Sequence, residues 1–220
     1  MNKHDELIET LSRDLKPVSR APNVNVLASV WILLSAGFVV IATHLAGPLR
    51  PGVFEQLVAN PRFLLECLLG VTAIAWVGVA GYRSAIPAGM TRKFALAGVV
   101  LMCAWLAQYV LGLFIPALEP STAGARARCY LETMAYAVPP IVIALIMIRR
   151  LYPMHFVRTS MALALAAGML PALYMQLACM YVPLHILEFH ILPGLAMVLF
   201  GALLAGLLRR RSEPPGNLSR

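Results

Sequence analysis

The sequence predicts an all-α protein: a polytopic six-helix transmembrane bundle with a short amphipathic N-terminal helix. Three observations carry that expectation. Six apolar stretches, each long enough to cross a bilayer, fill most of the 220 residues. Hydrophobic residues make up 60% of the chain and charged ones only 13%, with a mean hydropathy of +0.77, which leaves little material for a soluble domain. The 18 Lys and Arg are also distributed unevenly among the segments between the stretches. A hydrocarbon core needs about 20 apolar residues in helical form, and only a helix satisfies its own backbone polar groups there without a partner segment.

The first element is the tail, residues 1–22. Its run Asp5–Val18 places Leu7, Ile8, Leu11 and Leu15 at i, i+1, i+4 and i+8, one apolar stripe of a short helix. Asn2 or Asp5 can cap its start and Pro17 ends it. Asp5, Glu6, Glu9, Arg13 and Asp14 take the opposite face. An acidic face suits an anionic membrane surface poorly, so a helix that docks in a groove of a soluble partner is favoured over one lying on lipid. These acids stand where a signal peptide has its basic region, so the tail is not read as one.

The spans follow at Val24–Leu45, Phe63–Tyr82, Phe94–Ile115, Leu131–Ile148, Thr159–Met180 and Ile186–Leu208. Proline interrupts or ends several of them, at Pro116, Pro139-Pro140, Pro171 and Pro193, where neighbouring helices must satisfy the freed carbonyls. Gly201-xxx-Ala205 and Ala202-xxx-Gly206 give the last span a small-residue face, suited to close helix packing and compatible with a homodimer. Almost no ionisable residue falls at mid-membrane depth, which counts against transport. No internal repeat marks inverted halves. The expected division is a tail (1–22), a six-span domain (23–208) and a basic C-terminal tail (209–220).

Charge orients the bundle. The two tails, Tyr82–Phe94 and Arg149–Thr159 carry 14 of the 18 basic residues; the alternate segments carry Arg50, Arg62, Arg126 and Arg128. The positive-inside rule places both termini in the cytoplasm. The net charge of +8 then reflects orientation and headgroup attraction, with no direct nucleic-acid contact expected.

Chemistry gathers at the opposite rim. Cys67 and Cys103 lie within spans and read as packing residues. Cys129 opens span four and Cys179 closes span five, with Glu132, His185, Glu188 and His190 at the same level. On an α-helix His185 and Glu188 share a face, whereas His190 is rotated away from His185. Two thiols near imidazole and carboxylate suit a soft or borderline metal ion, a redox sensor, a permanent disulfide or thiol exchange. His44 is an isolated interfacial histidine. No CxxC or HExxH motif is present, and neither catalytic residues nor a resident cofactor are expected.

The pattern Asp5-x-Leu7-Ile8-xx-Leu11-xx-Asp14-Leu15-x-Pro17-Val18, six spans, and Cys179 followed by Pro183-Leu184-His185 and His190-xx-Pro193-Gly194 resemble the NrsF-like family (negative regulator of sigma F). These are bacterial inner-membrane anti-sigma factors for extracytoplasmic-function sigma factors, and the similarity covers essentially the whole chain. The resemblance implies a non-enzymatic regulator whose tail, through Asp5, Leu7, Ile8, Leu11, Asp14, Leu15, Pro17 and Val18, holds the sigma factor at the membrane. It also implies that Cys129 and Cys179, facing outward, report heavy-metal or oxidative stress, with Glu132, His185, Glu188 and His190 as candidate helpers toward transient metal ions. The alternative reading is a membrane thiol oxidoreductase coupled to quinone, which needs a second reactive cysteine pair that Cys67 and Cys103 do not clearly supply.

Overall fold

The computed structural model of the chain describes residues 3–13, 22–151 and 153–210. The expected all-α architecture is found. Helix α1 (Lys3–Arg13) precedes α2 (Val24–Ala46), α3 (Val53–Ala59), α4 (Pro61–Ser84), α5 (Arg92–Gly112), α6 (Cys129–Arg149), α7 (Phe156–Ala178), α8 (Pro183–Ile186), a π-helical turn (Leu187–Ile191) and α9 (Leu192–Arg210). Six spans are long and apolar enough to cross a membrane, the sixth running through α8, the π turn and α9.

Local chemistry sets the helix starts. Asn23 caps α2, accepting from the Asn25 and Val26 amides (3.0 and 3.4 Å). Asn60 caps α4 in the same way, with Pro61 supplying a preset first helical residue. Thr91 caps α5 through the Phe94 amide. One element escapes the hydropathy reading: α3, a short helix inserted between the first two spans, entered through Gly52 in the left-handed region (φ 72°).

Helix α7 is the axis of the bundle. Its span is 67% buried, against 22% for α5, and it packs against α9, α6, α4 and α2. Lipid gives apolar helices no hydrophobic reason to associate, so close contact must come from small residues that let backbones approach. Ala164, Ala166, Ala167, Gly168 and Ala172 supply that surface and are all buried. At the tightest point Gly168 meets Gly194 of α9. A Cβ at Gly194 would stand 2.7 Å from the Gly168 carbonyl oxygen, and a Cβ at Gly168 would collide with the Gly194 carbonyl. Further along, Gly201 faces Ala164, and Ala205 is fully buried. That half of the small-residue face is therefore used within the chain, while Gly206 stays open.

Polar contacts link helices across the bundle. The Trp31 indole N–H of α2 donates to the carbonyl of Pro140 in α6 (2.9 Å), beside the paired prolines. The Tyr109 hydroxyl of α5 donates to Gln176 of α7 (2.5 Å). Such bonds are favourable because the alternative is an unpaired polar group in hydrocarbon.

Gly168→Ala should lower the thermal unfolding midpoint of the detergent-solubilised protein, by an amount equivalent to about 1–3 kcal/mol of overpacking strain. Gly206→Ala, into open space, should leave that midpoint unchanged or slightly raised. Equal effects from both substitutions would show that the Gly168–Gly194 contact does not govern packing.

Candidate functional site

Three chain segments converge at the bundle end where α6 begins. Cys129 opens α6 and is buried; Cys179 follows the last residue of α7 and is fully buried. The segment after α5 folds back over this corner. Ser121 and Tyr181 form an isolated antiparallel bridge through backbone bonds of 2.9 and 3.1 Å, and the Ala117 amide donates to the Tyr181 hydroxyl. These contacts fix the turn between Cys179 and Pro183.

His185 lies on α8, with its Nε2 3.3 Å from the Cys129 sulfur and 3.5 Å from that of Cys179. Its ring stacks on Phe189 (centroids 4.8 Å apart) and meets His190 edge-on at 5.0 Å. His190 is fully buried, and neither of its ring nitrogens makes a well-aligned hydrogen bond among the described residues, although the Cys179 thiol lies close enough to interact with the ring. The ligand atoms of Cys129, Cys179, His185 and His190 all lie within 4.8 Å of one another. All four cysteines of the chain are free, and Cys67 and Cys103 stand outside this group.

The position of His190 departs from the α-helical expectation. Five α-helical steps turn the chain by about 500°, leaving positions i and i+5 about 140° apart. The chain instead makes a π turn, with the Leu192 amide bonded to the Leu187 carbonyl five residues back. This wider turn brings His190 round to the face of His185. Pro193 gives the local reason: it has no amide to donate, and its ring crowds the carbonyl four positions earlier in a regular helix. π turns are rare and concentrate at functional sites.

The two carboxylates do not join the group. Glu132 is held by Arg126 (Nη1 to Oε2, 2.8 Å). Glu188 is exposed. Arg126, which the sequence gave no reason to single out, also donates to the carbonyls of Thr43, Gly47 and Pro48 (3.3, 2.8 and 2.9 Å). It closes the carbonyl end of α2 and ties it to the start of α6. His44, expected to be isolated, shares a 3.1 Å hydrogen bond with the Tyr174 hydroxyl.

Electrostatics distinguish the thiols. The Cys179 thiol, beyond the end of α7, is pushed below its ordinary range, chiefly because the Cys129 thiol donates to it and despite burial, which opposes ionisation. A buried cation lies near. Arg50 stacks over Phe63 and Tyr181 at 5.6 and 5.4 Å, its guanidinium nitrogens lacking hydrogen-bond partners among the described residues. Burial lowers its pKa, and the charges of Tyr181, Cys67 and Cys179 oppose that shift.

At the other end of the chain, α1 presents Leu7, Ile8 and Leu11 at 57%, 64% and 62% exposure, an apolar stripe open to solvent. Asp5 lies on the same helix, whereas Asp14, Leu15, Pro17 and Val18 lie outside the described residues.

Residues 11–210 match the family NrsF, negative regulator of sigma F. The chain belongs to the NrsF family. The NrsF match takes in all six spans, the four clustered residues and the tail from Leu11 onward; Asp5, Leu7 and Ile8 precede it. A negative regulator of a sigma factor is an anti-sigma protein, so a sigma factor is the partner that the NrsF description implies. No curated protein and no solved structure matches the chain.

Thiolate absorbance should persist as pH falls below the ordinary thiol range in the reduced protein. Cys179→Ala should abolish that low-pH component, and Cys129→Ala, which removes the donor, should move it upward. A wild-type titration confined to the ordinary thiol range would refute the assigned asymmetry.

Proposed function

We propose that this NrsF-family protein is an inner-membrane anti-sigma factor that holds an extracytoplasmic-function sigma factor through its N-terminal tail. The carrying observation is α1: a charged helix whose Leu7, Ile8 and Leu11 face solvent instead of packing into the bundle. Three large apolar side chains on one stripe of a free helix suit a groove on a partner. The apolar anchors would supply affinity, and Asp5, Glu6, Glu9 and Asp14 would select a basic partner surface.

The uneven basic residues support cytoplasmic termini, which puts the tail where a sigma factor is found and the clustered thiols on the far side of the membrane. In this reading Cys129 and Cys179 sense heavy-metal or oxidative stress and their modification releases the sigma factor. Two free sulfurs joined by one imidazole suit either input. Release requires the spans to rearrange, and the helices that carry the thiols, α6 and α7, both pack against α2, which leads back toward the tail.

Full-length protein should co-purify an extracytoplasmic-function sigma factor from the same genome. A Leu11→Glu, Leu15→Glu variant should lose it while keeping its helical circular dichroism. Failure of the wild type to retain any such sigma factor would refute the tail reading.

A further inference from the structure

We propose that Cys129, Cys179, His185 and His190 bind one soft or borderline divalent cation as a four-coordinate centre with two sulfur and two nitrogen ligands. The inference rests on the reading of Cys129 and Cys179 as the sensing thiols. It adds what completes their site: the two histidines, one of which reaches it only through the π turn.

Spacing is the first argument. Tetrahedral zinc-type centres have metal–sulfur distances of about 2.3 Å and metal–nitrogen distances of about 2.0–2.1 Å, which separates their donors by about 3.3–3.8 Å. Here every pair of donor atoms lies within 4.8 Å, and His185 Nε2 stands 3.3 and 3.5 Å from the two sulfurs. A cation closes the quartet by about an ångström at its widest pair.

His190 is the second. A buried imidazole is ordinarily hydrogen-bonded, because an unpaired polar group in an apolar setting costs about 1–3 kcal/mol. His190 is fully buried, neither of its nitrogens makes a well-aligned hydrogen bond among the described residues, and its one polar interaction of note is with the Cys179 thiol inside the donor cluster. A metal ion held between a His190 ring nitrogen and the Cys179 sulfur would replace that poorly aligned contact with a bond to each.

The donor set then selects the ion. Thiolate and imidazole favour zinc, cadmium or cobalt, while magnesium and calcium require oxygen ligands. The nearby carboxylates are diverted or turned away, Glu132 to Arg126 and Glu188 to solvent. Binding displaces the thiol protons, at most two per ion, because thiolate is the ligating form. The ligands come from the start of α6, the end of α7 and the opening of the sixth span, so one ion ties three spans together at this rim.

The test uses reduced, full-length protein in detergent, titrated with cobalt(II). The expected result is one equivalent bound with visible absorption of four-coordinate cobalt, a sulfur-to-cobalt charge-transfer band, and displacement by zinc or cadmium. His185→Ala and His190→Ala should each weaken cobalt binding at least about 10-fold and alter the visible band. Cys67→Ser should bind as wild type does. His185 is only half-buried, so its variant keeps the test open if His190→Ala misfolds by circular dichroism. Absence of binding, an octahedral spectrum, or wild-type affinity in a folded histidine variant would overturn the site. Cobalt binding with this ligand set in a protein that captures no sigma factor would leave the site standing and sink the anti-sigma reading; the reverse combination would sink the site alone.

Discussion

The backbone contact between Gly168 and Gly194 governs the rest of this structure. It fixes the distance between α7 and α9 at a point where the two backbones meet directly, with the Met169 methyl packed beside Gly194. One residue before Gly194 stands Pro193, and just before that is the π turn. Cys179 is carried on the end of α7, and His185 and His190 on the entry to α9, so the helix crossing that seats Gly194 also sets the thiol against the imidazoles. In a bilayer, where apolar surfaces gain little by meeting each other, such a crossing has to come from shape.

The fold was legible because lipid imposes a simple rule on sequence. Six apolar runs of sufficient length had to be six helices, and all six are present within a few residues of the expected bounds. The tail helix was legible from the spacing of Leu7, Ile8 and Leu11. Hydropathy could not reveal α3, whose seven residues make too short a run to register as a span or as a long periodic helix.

The site was legible in its residues and less so in its geometry. Cys129 and Cys179 stood out because both fall at span ends on one side, and consecutive antiparallel spans are neighbours. His190 was misplaced because the reading assumed 3.6 residues per turn throughout; Pro193 was the available signal that the helix widens before it. Glu132 sits one turn from Cys129 and stood among the candidate helpers toward a metal ion. Nothing local in the sequence shows that Arg126, six positions earlier, engages it while closing the end of a helix 80 residues away in the chain. Long-range pairings of this kind depend on how the helices pack, and no periodicity encodes them.

The π turn also carries a lesson about length. It takes five residues to do what a regular helix does in four, so the chain holds one residue more between the histidines than the geometry needs. Four α-helical steps leave two side chains only about 40° apart. A chain one residue shorter between Ile186 and His190 would carry the same two imidazoles at i and i+4, the spacing that regular α-helical pitch aligns. Comparison of such sequences by fixed spacing would count a histidine as lost where only the pitch of the helix had changed.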